Sequence, residues 1–309
     1  MHIIVTGAAG YVGAALVDRL LALDTVTRLS LADQGFGAQA AAWRRDPRVT
    51  LAQGQFGEPA VLDTLLGEPA DVVYHLASVP GGLAQREPAL GQRVNLHDTL
   101  RLFDAVAATG QAARLVFASS VAVYGPLAHV DAVDETTAPA PQSSYGAHKL
   151  MAEVHLADLS RRGLVDGLSL RMPGIVARPG TSAGHGSAFM SDLIRTLSAG
   201  QPYACPVSAA ARCWWMSRAR CVDNLLHAAS LPAQQLPASR VVQLPVLLAS
   251  VLAVAHEASR GQASLVSYWP DARIENTFAC MPALHTPSAR ALGFVDDGDL
   301  RQLVNNALA

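Results

Sequence analysis

Short apolar runs alternate with amphipathic stretches along the first 170 residues. Ile3-Ile4-Val5, Thr27 to Ala32, Val49 to Ala52, Asp71 to Ala77, Arg114 to Ala118 and Leu168 to Arg171 have strand length and apolar content. Helical patterning fills the gaps, as at Pro59 to Leu66 and from Arg93-Val94-Asn95-Leu96 to about Ala108. This alternation predicts an α/β fold with a parallel, doubly wound sheet, whose ligand lies beyond the carboxyl ends of the strands. The longest apolar run, Val241 to Ala255, contains Gln243 and Pro245 and falls short of the roughly 18 to 20 residues that span a bilayer. It predicts a buried strand followed by a helix.

Composition narrows the partners. The chain has 309 residues, 50% of them hydrophobic, enough to bury the core of one large domain or two intimately packed ones. A formal net charge of -2 and a pI near 6.5 supply no basic footprint, which argues against nucleic acid or an anionic membrane as the main partner. A small ligand is the expectation. Cys205, Cys213, Cys221 and Cys280 lack zinc spacing and a disulfide pattern, so they read as free thiols in a reducing compartment. The histidines are too scattered to suggest a metal site. Met1-His2-Ile3-Ile4-Val5 enters a strand at once and leaves no room for an export signal, so a cytoplasmic location is expected.

Candidate chemistry begins at the first turn. Gly7, Gly10 and Gly13 follow the first strand and open a helix, a spacing one residue longer in its first gap than the usual dinucleotide fingerprint. Such a turn lets backbone N–H groups approach a pyrophosphate at the positive end of the helix dipole. Asp33, at the end of the second strand, suits the ribose hydroxyls and repels a 2′-phosphate, which favours NAD over NADP. Arg44 and Arg45 read as a solvated helix face. Ala77, Ser78 and Pro80-Gly81-Gly82 leave a strand's carboxyl end and are placed to line the cleft, whereas His75 reads as a satisfied core histidine. Ser120 ends the fifth strand and can hold a substrate oxygen. Tyr145 and Lys149 are four apart, which puts phenol and ammonium on one helix face. An ammonium so placed favours the phenolate and makes Tyr145 a proton acceptor.

In this order, Thr6-Gly7-x-x-Gly10-x-x-Gly13, Asp33, Asn95, Ser120 and Tyr145-x-x-x-Lys149 resemble the extended short-chain dehydrogenase/reductase family of NAD-dependent epimerases and dehydratases. The resemblance implies a Rossmann sheet over residues 1–170 and a smaller C-terminal α/β substrate-binding region over 171–309, interleaved with the first. It makes Tyr145 the general acid/base, Lys149 its partner and a ligand of the nicotinamide ribose, and Ser120 the substrate-hydroxyl holder. Tyr11, Val12, Leu76, Ala77, Ser78, Asn95 and Pro173 join the glycines and Asp33 around the cofactor. Near the adenine, where many relatives have an aspartate and an apolar residue, this chain has Gln55-Phe56.

After the sixth strand, near Met172 to Gly180, the chain has neither the asparagine nor the tyrosine-glycine-proline turn usual at that place in the family's nucleotide-sugar enzymes. Arg171 to Gly180, Ser187-Ala188-Phe189, Cys205-Pro206-Val207, Tyr268-Trp269-x-x-x-Arg273-Ile274-Glu275 and Ala289 to Phe294 instead resemble a subgroup that oxidises a small sugar acid beside its carboxylate with NAD. The alternative is a sugar or nucleotide-sugar epimerase or dehydratase with tightly bound NAD. An acid substrate needs a cation or N–H donors. Arg178 and His185 are the charged candidates, with Ser78 and Ser187 as neutral donors; Met172 to Gly180 reads as a loop crossing the cleft. Arg212, Trp214 and Trp215 read as packing or a subunit contact. Homodimers built from two helices per chain are common in the family, and Leu100, Phe103, Val106, Val154 and Leu156 are the residues considered for that face.

Overall fold

The computed structural model describes residues 1–38, 40–180 and 186–309. Five strands come first, β1 (His2–Thr6), β2 (Arg28–Asp33), β3 (Val49–Gln53), β4 (Val72–His75) and β5 (Arg114–Ser120). They are followed by β6 (Ala132–Asp134), β7 (Asp166–Met172), β8 (Gly174–Val176), β9 (Tyr203–Cys205), β10 (Arg212–Ser217) and β11 (Val241–Gln243). The last three are β12 (Leu247–Ser250), β13 (Val266–Tyr268) and β14 (Ala283–His285). A seven-stranded, wholly parallel sheet runs in the order β11-β7-β5-β4-β1-β2-β3. The remaining strands form small sheets, of which β12-β10-β8 is the largest.

Alternation within each strand decides what each face of the main sheet buries. Ile3, Val5, Leu29, Leu31, Val116 and Leu170 point to one face, against α1 (Tyr11–Leu21) and a later helix at Arg218–Ser230. Ile4, Val73, Leu115 and Phe117 point to the other, against α2 (Pro59–Leu66), α3 (Thr99–Ala108) and α4 (Ser144–Arg161). Leu16, Val17 and Leu20 fix the phase of α1 and are buried, each contributing about 1.5–3 kcal/mol. The chain runs outward from β1 to β3, then returns to β4 on β1's other side. The crevice therefore opens past the carboxyl ends of β1 and β4, where the winding reverses.

A third core holds the smaller region, with Leu193, Ile194, Trp215, Val254 and Leu303 among its buried residues. Strand β11 and the helix Arg218–Ser230 nevertheless belong to the main sheet and its core, and β6 pairs with β14, so the two regions cross repeatedly. Arg114 makes this crossing explicit, since it donates to the Ala228 and Leu231 carbonyls (2.5 and 2.6 Å) while paired with Asp166. A division at 170/171 falls inside β7.

Several expectations change. The run Val241 to Ala255 contains two strands before its helix, because Pro245 breaks the chain between β11 and β12. The stretch from Met172 to Gly180 is not all loop, because Gly174–Val176 pairs with β10. Arg44 and Arg45 are exposed but lie in the turn after a short helix, Ala40–Trp43. Trp214 and Trp215 are core residues whose indoles donate to Pro282 and Ala249 carbonyls. Of the residues considered for a dimer face, Phe103, Val106 and Leu156 turn into the core; Leu100 is half-buried and Val154 exposed.

Candidate active site

At the head of the crevice, Gly7 holds φ at 72°, and a Cβ there would meet the Ala77 amide nitrogen at 2.7 Å. The turn after β1 thus lies directly against the segment leaving β4. Gly13 is equally confined, because its Cβ would fall 2.0 Å from the Gly7 carbonyl oxygen. Helix α1 starts at Gly10 with no capping side chain and no acid in its first turn, so its leading amides face the crevice without an internal partner. This cradle fits a dinucleotide diphosphate, with Gly7, Gly10, Tyr11, Val12 and Gly13 around it. Asp33 ends β2 half-buried, its carboxylate accepting from the Ala9 amide at 2.9 Å. Gln55 accepts from Gln34 at 3.1 Å, whereas the Phe56 ring is buried 4.9 Å from that of His75. The Phe56 ring is thus committed to the core. His75 is satisfied in the core between the Thr6 and Thr99 hydroxyls (2.6 and 3.0 Å).

Tyr145 and Lys149 occupy the first two turns of α4, which starts where Ser143 Oγ accepts from the Gly146 amide. Gly146 lets this end press onto the 3₁₀ turn Val121–Tyr124, since a Cβ would lie 2.3 Å from the Ala122 carbonyl oxygen. The Ser78 and Ser120 hydroxyls both act on the Tyr145 phenol and favour its ionised form. Ser78 Oγ donates to Asn95 Oδ1 (3.0 Å), which also accepts from the Val79 amide (2.7 Å), while Asn95 Nδ2 donates to the Val79 carbonyl (2.9 Å). Asn95 sits in a π-helical turn, Arg93–Asp98, that widens the helix at the point where it grips this loop. It thereby sets Ser78, whose hydroxyl acts on the Tyr145 phenol.

Charge in the site differs from the sequence expectation. Burial pushes the Tyr145 phenol above its ordinary value, opposed by hydrogen bonding from Ser78, the Arg178 charge and hydrogen bonding from Ser120. Lys149 Nζ stands 5.6 Å from the Tyr145 ring centre, donates to the Ala118 carbonyl (2.8 Å), and is pulled by burial down to about 7, with Glu153 acting against that pull. The relief of the phenol thus comes from Ser78, Arg178 and Ser120 in this arrangement, and the lysine is itself near its titration point at neutral pH.

Arg178 follows β8, half-buried, with its guanidinium carbon 5.9 Å from the centre of the Tyr11 ring. Tyr11 is fixed by donating its hydroxyl to the Val176 carbonyl (3.1 Å). Arg218, which sequence reasoning missed, lies over the same ring at 4.9 Å. The available signal was two arginines, Arg218 and Arg220, at a helix start, where the dipole favours anions instead. Pro173 is buried, Leu76, Ala77 and Ser187 are half-buried, and His185 lies outside the described residues. His148 is buried beside Lys149, and among the described residues its Nδ1 has no partner. No group of three or more His, Cys, Asp or Glu stands together to hold a metal among the described residues.

A glycine-turn Rossmann sheet with serine, tyrosine and lysine at its switch point defines an NAD-dependent enzyme of the extended short-chain dehydrogenase/reductase type. The chain belongs to the NAD dependent epimerase/dehydratase family, whose profile matches residues 3–229. It is 35% identical over 319 residues to a D-erythronate dehydrogenase of Cupriavidus necator, covering 98% of this chain and 97% of that one. A D-erythronate dehydrogenase of Haemophilus influenzae is 32% identical, covering 98% of each chain. Among solved structures, a nucleoside-diphosphate-sugar epimerase from Agrobacterium tumefaciens superposes with a TM-score of 0.87 at 28% identity, over 98% of this chain and 92% of its own. No described helix is long and apolar enough to cross a membrane.

Proposed function

We propose that the protein oxidises the 2-hydroxyl of a small sugar acid, D-erythronate or a close relative, to the 2-oxo acid with NAD. The observation that carries this reading is the Tyr145 phenol, set in the first turn of α4, where the Ser78 and Ser120 hydroxyls and the Arg178 charge all favour its ionisation. Bound NAD supplies the hydride acceptor. Ser120 orients the substrate oxygen, and Tyr145 takes the hydroxyl proton as the bond to the acid's C2 hydrogen breaks. Lys149, while protonated, favours the Tyr145 phenolate that accepts this proton and holds the nicotinamide ribose, with Asn95 fixing Ser78 behind them. Gly7, Gly10, Tyr11, Val12 and Gly13 receive the diphosphate, Asp33 the adenosine ribose, Gln55 and Phe56 the adenine, and Leu76, Ala77 and Pro173 the nicotinamide side. Arg178 receives the substrate carboxylate, because an unpaired anion in a closed cleft is costly and this guanidinium already acts on Tyr145.

We further infer a homodimer through the outer faces of α3 and α4, where Met151 and Val154 are 45% and 64% exposed. Light scattering on the purified chain decides this. Free cysteines at positions 205, 213, 221 and 280 support a cytoplasmic setting. The activity test is NADH formation with a panel of D-erythronate, L-threonate and other four-carbon acids. Turnover of one acid and not its epimer is the expected result. Protein that binds NAD tightly but forms no net NADH with any acid would overturn the dehydrogenase reading in favour of an epimerase or dehydratase.

A further inference from the structure

A buried ionic network adjoins Lys149 and takes no part in the proton transfer described above. Glu153 lies one helical turn beyond Lys149 on α4 and is 2% exposed. Its Oε1 accepts from Ser119 Oγ at 2.5 Å and from Arg171 Nε at 3.1 Å, and its Oε2 accepts from Arg171 Nη2 at 2.8 Å. Arg171, in β7, donates its Nη1 to the Tyr124 hydroxyl at 3.1 Å. The partners form a sequence along the end of β5: Ala118 receives Lys149, Ser119 binds Glu153, and the hydroxyl of Ser120 acts on the Tyr145 phenol.

Stitching α4 to the sheet does not require ions here. A well-packed apolar pair of similar volume holds elements together as well as a buried salt bridge does, and often better. What an apolar pair lacks is a charge that acts on its neighbours. Lys149 is faced by Tyr145 and Glu153 on its own helix and by His75 on β4, while Glu153 is in turn faced by Arg171 on β7 and Tyr124 in the 3₁₀ turn, whose hydroxyl also senses Asp134 on β6. Burial keeps His75 neutral, and Tyr124 is held protonated by its own burial. Glu153 is the neighbour whose charge counters the effect of burial on Lys149.

We propose that Glu153, held by Arg171 and Ser119, is a positioning residue that keeps Lys149 charged for the cofactor and sets the end of β5 that carries Ser120. Arg171 limits the strength of that effect by neutralising part of the carboxylate. The proposal rests on the assignment of Lys149 as a cofactor ligand, so its test reads cofactor binding and needs no substrate.

The experiment titrates NADH by fluorescence across the neutral and alkaline range in wild type, Glu153→Gln, Arg171→Gln, the double variant and Lys149→Met. Wild-type affinity is expected to fall as Lys149 loses its proton, and Lys149→Met to remove that pH dependence. Glu153→Gln leaves the guanidinium uncompensated, so the midpoint moves to lower pH by on the order of one unit. Arg171→Gln frees the carboxylate to act on Lys149 and moves the midpoint in the opposite direction. In the double variant it returns towards the wild-type position. Should Glu153→Gln fail to fold, the opposite displacement in Arg171→Gln and the return in the double variant carry the test. Binding weakened equally at every pH, with the midpoint unmoved in both single variants, would reduce the network to a structural brace and overturn the proposal. Turnover on the acid panel is measured separately, so the role of Glu153 is decided by NADH binding even in a protein that oxidises no acid.

Discussion

Replacing Lys149 by methionine separates what the lysine does for the site from what it costs the fold. The ammonium is 2% exposed, and its protein hydrogen bond is to the Ala118 carbonyl. Bringing it from the ordinary 10.5 down to about 7 corresponds to a penalty of about 5 kcal/mol on the charged form. Below pH 7 the lysine is charged in the folded and unfolded chains alike, and the fold bears the whole penalty. Between 7 and 10.5 the unfolded chain keeps the proton while the folded chain releases it, so stability rises with pH and the penalty fades. Methionine has similar length and no charge, but leaves the Ala118 carbonyl without its donor, a loss of about 1–2 kcal/mol; the attraction to Glu153 is already contained in the net penalty. The expected net result is a variant about 3–4 kcal/mol more stable than wild type near pH 6, with the advantage shrinking towards pH 10. Urea denaturation at the two pH values measures it, alongside turnover reduced by about 100-fold or more. A variant less stable than wild type near pH 6, or an advantage that does not shrink with pH, would refute the reasoning.

Other perturbations follow from the same geometry. Tyr145→Phe keeps the ring but loses the proton acceptor, so turnover should fall by about 100-fold to 10,000-fold while NADH binding, followed by fluorescence, persists. Undiminished turnover would sink the mechanism. Arg178→Ala removes a charge that lowers the Tyr145 pKa, so the rising limb of kcat/KM for oxidation should move to higher pH and KM for the acid should increase; an unmoved limb would remove Arg178 from the site. Gly13→Ala places a Cβ against the Gly7 carbonyl and should weaken NAD binding about tenfold or more, as read by calorimetry. Asn95→Ala strips the Ser78–Val79 loop of three hydrogen bonds and should destabilise the fold by about 2–3 kcal/mol in chemical denaturation.

The parallel sheet was legible because its strands are short, apolar and separated by amphipathic helices, and because the glycine turn and Asp33 fall at fixed places in such a unit. Tyr145 and Lys149 were legible as a pair because helical spacing is local. The energetic balance between them was not. It depends on Ser78, delivered by Asn95 from a separate helix, and on Arg178, delivered by a segment that crosses the cleft after β8. Arg171 looked like the end of a strand until β7 and α4 came together and made it the partner of Glu153. Periodicity likewise overstated the outer face of α3, because Phe103 and Val106 are apolar on whichever side they lie and only packing turns them inward.

Strand β11 places a condition on the birth of the molecule. It closes one edge of the main sheet against β7, yet its three residues are Val241–Gln243, made more than two-thirds of the way along the chain. While the ribosome is still short of them, β7 has an unpaired flank, and Arg114 waits for the carbonyls of Ala228 and Leu231. The nascent nucleotide-binding half is therefore an open template for other chains until β11 is made. A fragment ending at residue 170 is expected to aggregate on expression, and the full chain to unfold in one transition instead of two.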